Sequence, residues 1–387
     1  MKRPYLQIIV GSVRDASMTG RLGRWSADYL KNAGEWTVEL IDLADWSFPQ
    51  FALAKAPAAG RYEDRLQQAW ARTVDRGDAY LIAAPEYNHG YSGVLKTALD
   101  YLYSEWLYKP ASCIAFGNAE GARMVESLQQ VFVELGLIPV APAVHIRSAH
   151  SKWLDGRFAS TADDEKSLGQ TSAQLLTWCN KLRVAGGDRT GSSDPRQVPP
   201  LSGRVLVMGL GEAAVASVVD PLRRGGVAAD GLVVPDRLED VPDARDYDLV
   251  SFGRGIAGPI AARLKQAFTA RHPGILLLDT MLSIAVRQIE AALMQRAGRM
   301  PVLADSAARI SAGQLRVSVE LAAPGRIGLT CYQLKPTPTK RRIATVEAAA
   351  GRSELSCRIA DMTVDSLVVD LDGSEFRHHP FASHAAA

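Results

Sequence analysis

The stretch Pro85-Glu86-Tyr87-Asn88-His89-Gly90-Tyr91-Ser92-Gly93-Val94-Leu95-Lys96-Thr97-Ala98-Leu99-Asp100-Tyr101-Leu102 gives the first half of this chain its architecture. It follows the apolar run 79–84 and carries a short polar-aromatic segment before apolar residues return at helical spacing. That is a strand, a loop and a helix. In a parallel sheet such a loop lies at the carboxyl edge, where open α/β folds bind their ligands. Its N–H groups and rings suit a flat, partly polar guest.

The same unit repeats on both sides. Strand-like runs fall at 6–10, 37–41, 79–84, 112–116 and 140–146, and helix-like patterns at 20–33, 62–77, 93–102, 123–135 and 163–182. Alternation of this kind predicts a parallel sheet with helices on both faces, here over a first domain of residues 1–183. Residues 184–202 are rich in Gly, Ser, Asp and Pro, keep no apolar period and read as a linker. A second α/β domain is expected over 203–300, with strands at 204–208, 231–234, 249–252 and 275–278. Beyond Pro301 the period changes to two: Leu315, Val317, Val319 and Leu321, then Ile327, Leu329 and Cys331, then Leu355, Cys357 and Ile359, then Leu367, Val369 and Leu371. This predicts an antiparallel β-sandwich over 301–381, with a tail at 382–387 that includes His384; His378 and His379 also read as tail residues rather than ligands.

Composition excludes several classes of function. The chain has 387 residues, 47% of them hydrophobic, and 44 basic against 42 acidic side chains. A formal charge of +2 offers no field for nucleic acid or a membrane surface. No apolar run is long enough to span a bilayer, and no signal-peptide core precedes the first strand. Cys113, Cys179, Cys331 and Cys357 show neither CxxC spacing nor a His at metal-site spacing, so no metal is expected and a reducing cytoplasm fits.

The loop after the first strand is Gly11-Ser12-Val13-Arg14-Asp15-Ala16-Ser17-Met18-Thr19-Gly20-Arg21. Gly11 admits close backbone approach, Ser12, Ser17 and Thr19 offer hydroxyls, and Arg14 offers a planar fork ahead of a helix N-terminus. A phosphate monoester is the natural guest. The alternative is an ordinary helix cap with a solvated arginine. No Gly-Lys-Ser/Thr follows, so this is not a Walker A loop.

Taken with Pro85-Glu86-Tyr87-Asn88-His89-Gly90 and the helix from Gly93 to Asp100, that loop resembles the NADPH-dependent FMN reductase family. Ile41-Asp42-Leu43-Ala44-Asp45 and Glu105-Trp106-Leu107-Tyr108-Lys109-Pro110 extend the resemblance, which covers about residues 5–182. It implies a flavodoxin-like five-stranded sheet and an FMN-dependent NAD(P)H oxidoreductase, in which NADPH reduces FMN and a flavin, quinone or other small molecule accepts the electrons. It places Ser12, Arg14, Ser17 and Thr19 around the FMN phosphate and Pro85, Glu86, Tyr87, Asn88 and His89 along the isoalloxazine. The third loop, with Gly117, Asn118 and Gly121, closes the other side; Asn118 and Ala122 stand where the family often has Gly. No catalytic side chain is expected, because the cofactor carries the hydride chemistry. His89 and Glu86 read as loop structure, and Arg123 as a solvated helix residue or a contact for an NADPH phosphate. The resemblance also implies a homodimer or homotetramer. The aromatic-rich segment 93–108, from Gly93 to Tyr108, is its expected contact, with Trp106 reaching a neighbour's flavin.

In the second half, Gly209-Leu210-Gly211-Glu212-Ala213-Ala214 resembles a dinucleotide fingerprint, with Asp236 ending the next strand. The strand–helix spacing resembles a response-regulator receiver domain, but the acidic residues that hold Mg²⁺ are missing, and Gly253-Arg254 stands where the phosphoacceptor is expected. A non-catalytic module follows, with 252–255 free to bind an anion or a partner. On this basis a flavin-bearing redox sensor, whose C-terminal modules engage partners, is the alternative to an enzyme.

Overall fold

The computed structural model describes residues 3–15, 17–59, 62–154, 157–186, 201–235, 240–256, 258–296, 303–311, 314–333, 339–359, 364–372 and 375–381. The chain forms two compact units, Met1–Val198 and Pro199–Ala387. Most of the 184–202 segment, Asp236, His384 and the 382–387 tail lie outside the described residues.

The first unit runs β1 (Tyr5–Val10), α1 (Met18–Ala33), β2 (Thr37–Asp42), α2 (Arg65–Asp75), β3 (Ala79–Pro85), α3 (Gly93–Asp100), β4 (Pro110–Phe116) and α4 (Ala122–Glu134). It continues through β5 (Ile138–Pro139), β6 (Val144–His145), the small hairpin β7 (Trp153–Leu154) and β8 (Arg157–Phe158), and α5 (Ala162–Gly186). The parallel sheet has the order β2-β1-β3-β4-β5, and β6 also pairs with β4. β1, β3 and β4 are buried along their whole length, as strands covered on both faces must be. Successive side chains alternate between two cores. Ile9, Ile82 and Cys113 meet Trp70, Leu95 and Met124 of α2, α3 and α4. Ile8, Leu81 and Ile114 meet Leu22 and Leu175 of α1 and α5.

Three local readings of the sequence need correction. The fifth strand is two fragments rather than one run over 140–146, because Pro139 and Pro142 bring no N–H to a ladder. Ser112 Oγ donates to the Val140 carbonyl at 2.8 Å beside the break. The helix expected from residue 62 starts at Arg65, where Asp64 caps it by accepting from Gln67 N at 2.7 Å. Trp106 is no subunit contact. It is fully buried, donates from Nε1 to the Leu99 carbonyl at 3.2 Å, and packs edge-on against Trp70 and Tyr80. The aromatic excess of this segment fills the unit's own core.

The second unit begins with β9 (Arg204–Gly209), α6 (Glu212–Arg224), β10 (Ala228–Val233), β11 (Leu249–Gly253), α7 (Gly258–Arg271), β12 (Leu276–Thr280) and α8 (Ala285–Arg296). Its four strands are parallel, in the order β10-β9-β11-β12. Antiparallel strands follow: β13 (Leu303–Ser311), β14 (Gln314–Leu321), β15 (Gly325–Gln333), β16 (Thr339–Ala348), β17 (Gly351–Arg358), β18 (Ser366–Leu371) and β19 (Glu375–Pro380). They form a β13-β14-β17 sheet and a β16-β15-β18-β19 sheet. The period-two residues named above, Leu315 to Leu321, Ile327 to Cys331 and Leu367 to Leu371, make the layer between them. Tyr332, Val368 and Phe376, on the outer side of the four-stranded sheet, pack with Ile284 and Ala291 at α8. Arg254 is not free for an anion: its guanidinium donates to Ser366 Oγ and the Asp365 carbonyl. His379 lies in a strand rather than a tail, 2.9 Å from Ser306 Oγ.

Candidate functional site

Three loops of the first unit meet at the carboxyl edge of its sheet. The first leaves β1 at Gly11, whose N–H bonds the Ala83 carbonyl at 2.8 Å. It enters α1 through Ser17, whose Oγ accepts from Gly20 N at 3.1 Å. Ser92 fastens this loop to the second: its Oγ donates to the Gly11 carbonyl at 2.6 Å and accepts from Leu95 N at the start of α3.

The second loop is a tight turn. Tyr87 N donates to Gly90 O at 2.8 Å, and Gly90 N returns a bond to Tyr87 O at 3.0 Å. Asn88 and His89 between them have φ of 47° and 78°, a left-handed pair that aims both side chains outward. The third loop joins β4 to α4 through Gly121 at φ 74°. A Cβ there would stand 2.7 Å from Ala115 Cβ and 2.8 Å from Phe116 N, so only glycine fits. A Cβ at Gly117 would meet Glu86 Cβ at 2.8 Å, which shows how closely the second and third loops press together.

These loops enclose a cavity of about 660 Å³, well inside the size range of small-molecule sites. Arg14, Ser17 and Thr19 line it from the first loop, Pro85, Glu86, Tyr87, Asn88 and His89 from the second, and Gly117 and Asn118 from the third. Ser12 and Gly121 stand behind the wall. Ser12 is buried with Oγ 3.5 Å from Arg14 N, and Gly121 shapes the entry into α4. The cavity also takes in Asp15, Met18 and Arg123, which lie in the expected loops without having been singled out for the flavin, and Phe116 and His150, which lie outside them. Phe116 and Met18 adjoin expected loop residues and were within reach of the pattern. His150 comes from a short turn after β6, and no spacing in the sequence announces it.

Arg123, its side chain partly exposed, is not a free cation. It pairs with the Glu86 carboxylate, whose side chain is only 4% exposed, and its Nη1 lies 3.4 Å from His89 Nδ1. Glu86 Oε2 and Arg123 Nε are nevertheless buried without a hydrogen-bond partner. A buried carboxylate oxygen in the wall of a cavity calls for a donor. Cys113, on β4, takes no part in chemistry of this kind, because burial pushes its thiol up to about 12. Among the described residues no group of three His, Cys, Asp or Glu is placed to hold a metal ion.

The NADPH-dependent FMN reductase family model matches residues 4–151, the span that contains all three loops. An NAD(P)H-dependent FMN reductase of Pseudomonas aeruginosa is 30% identical over 158 residues, covering 38% of this chain and 80% of its own length. The chain belongs to the NADPH-dependent FMN reductase family. NAD(P)H-dependent FMN reductases of Schizosaccharomyces pombe and of a Nectria species are similar as well. The first is 28% identical over 171 residues, covering 43% of this chain and 84% of its own, and the second 31% over 136 residues, covering 33% and 68%. Membership makes this chain an oxidoreductase with FMN as its flavin and NAD(P)H as its electron donor. The family match lies within the first unit; the second unit is this chain's addition to it.

Proposed function

We propose that the first unit holds FMN in this cavity, its phosphate at the 14–19 loop and its ring system against 85–89, and passes electrons from NAD(P)H to a small acceptor. One observation carries the reading: a single cavity is walled by both segments on which the family likeness rests. FMN held there would supply the hydride-accepting chemistry that links NAD(P)H to a flavin, quinone or other small acceptor.

The chain's own groups bind and orient. Arg14 is exposed at the rim, so its fork is available to a phosphate. Ser17 accepts a bond from Gly20 N and keeps its own O–H to donate, beside the N-terminus of α1. In the second loop, the N–H groups of Glu86, Tyr87 and Gly90 are used within the protein. Asn88 and His89 make no such main-chain bond among the described residues and present their N–H groups to a ligand's polar edge. The unfilled Glu86 Oε2 suits a ring N–H. No proton-transfer residue is required of the chain.

Self-association through 93–108 rests on Tyr108, which is 63% exposed, now that Trp106 and Tyr101 belong to the core. Four cysteines without a disulfide favour a reducing, cytoplasmic setting. We read residues 203–381 as a non-catalytic module, in keeping with the Gly209-Leu210-Gly211 turn after β9 and an Arg254 already bonded within the unit.

The test is an anaerobic titration of the FMN-loaded protein with NADPH. Loss of the visible flavin absorbance at one NADPH per FMN, and its recovery on adding a quinone, is the expected result. A bound flavin whose spectrum NADPH leaves unchanged would overturn the reading.

A further inference from the structure

Glu86, Arg123 and His89 form a chain of polar contacts in the wall of the cavity. The Glu86 carboxylate, its side chain only 4% exposed, pairs with Arg123 Nη2. The other terminal nitrogen, Arg123 Nη1, lies 3.4 Å from His89 Nδ1. A guanidinium has N–H groups and no lone pair to offer, so Nδ1 is the acceptor in this contact. The neutral imidazole then carries its proton on Nε2. Nε2 has no partner among the described residues. Glu86 is sunk in the wall and His89 is exposed, so the chain runs from the interior to the cavity's opening and ends on a fixed N–H donor.

The backbone under the imidazole is held at a cost. His89 has φ of 78° and Asn88 φ of 47°, values that residues with a side chain seldom adopt. The paired bonds between Tyr87 and Gly90 fix the turn on either side of them. Glycine would take the conformation freely, yet an imidazole stands there. Backbone strain kept at the edge of a cavity points to a use for the side chain that it carries.

Resting on the FMN site proposed above, we infer that His89 Nε2–H binds a carbonyl oxygen of the electron acceptor, a quinone, and that Arg123 and Glu86 act through it as positioning residues. A quinone that takes up the hydride originating on NAD(P)H becomes a quinolate, negative at one oxygen. A proton from water completes the quinol, and NAD(P)+ is the oxidised product. Negative charge therefore grows on the atom that Nε2–H holds, and the guanidinium behind the ring polarises that N–H. Glu86 tempers the guanidinium's charge without cancelling it at the ring, because Arg123 stands between the two. Nicotinamide changes in the opposite sense, becoming a pyridinium cation as it gives up its hydride. A donor with a cation at its back thus favours the acceptor over the nicotinamide.

The test compares two acceptors on the FMN-loaded full chain, with NADPH as donor. Duroquinone has carbonyl oxygens and no open position for a thiol to attack; ferricyanide takes single electrons and has no carbonyl. His89→Gly removes the ring and suits the left-handed backbone, and His89→Gln restores an N–H donor. His89→Gly should lower kcat/KM for duroquinone by about tenfold or more beyond its effect on ferricyanide, the loss expected for one hydrogen bond to a charged oxygen. His89→Gln should recover much of that loss. Nitrogen NMR of histidine-labelled protein gives a second readout without turnover. The His89 ring, identified by its absence from His89→Gly, should be protonated at Nε2 and bare at Nδ1, and its Nε2 signal should move when duroquinone is added without NADPH. Equal losses with the two acceptors, equal turnover of duroquinone by the Gly and Gln variants, or a proton on Nδ1 would overturn this proposal alone. A wild type that reduces neither acceptor would overturn it together with the FMN reading.

Discussion

Arg14 makes the most local claim. If its guanidinium holds the FMN phosphate, Arg14→Ala removes a hydrogen bond to a charged group and weakens binding by about 1.5–3 kcal/mol, roughly 10–150-fold in Kd. A flavin fluorescence titration reads this directly, and a Kd within about twofold of wild type would remove Arg14 from the site. The cysteines offer a second test at the same scale. Burial pushes the Cys113 and Cys331 thiols up to about 12, Cys179 is buried, and Cys357, though its thiol is also raised by burial, is only half-buried and so the most accessible of the four. Thiolate is the reactive form. A maleimide at pH 8 should therefore add once to the native protein, at Cys357, and mass spectrometry giving two or more adducts before unfolding would contradict the burial. Single residues were also where the sequence said least. The pairing of Glu86 with Arg123 joins positions 37 apart through a loop and a helix, and no local pattern encodes which charge finds which. Ser12 and Ser17 look alike in the sequence. Only the turn into α1 decides that one is buried and the other lines the cavity.

Elements were far more legible, because periodicity is a property of the element. β1, β3 and β4 stand out as apolar runs because both faces of the sheet are covered. β14, β15 and β18 stand out by alternation because one face meets the sandwich core. β16 is not among the runs that alternation picks out: it opens on Lys340-Arg341-Arg342, of which Arg342 pairs with buried Asp370 at 2.5 Å. The fifth strand was read too long because its apolar residues mask two prolines. The element-scale prediction concerns the turn into α4. Gly121→Ala forces a side chain into a left-handed backbone and against Ala115 and Phe116. It should lower stability by at least about 1 kcal/mol, seen as a reduced Tm for the first unit. An unchanged Tm would mean the third loop is laxer than its contacts indicate.

At the scale of the whole molecule, the two units should respond differently to acid. Burial, and then Arg377, hold His379 below the usual imidazole range in the folded sandwich. The unfolded chain keeps the ordinary value near 6.5. Between the two values the unfolded state binds more protons, so the stability His379 confers is complete above about pH 6.5 and is lost as pH falls through the folded value. Denaturant melts of the second unit should shift to lower midpoints from pH 7.5 to 5.5, and His379→Gln should flatten that slope; an equal slope in both would assign the acid sensitivity elsewhere. The account as a whole depends on the first unit recognising both ends of one cofactor. Parallel titrations with FMN and riboflavin, which differ only in the phosphate, examine that most directly. FMN should bind at least about tenfold more tightly, the worth of one charge-assisted contact, and the advantage should vanish in Arg14→Ala. Equal affinity for the two flavins, or no binding of FMN at all, would contradict it.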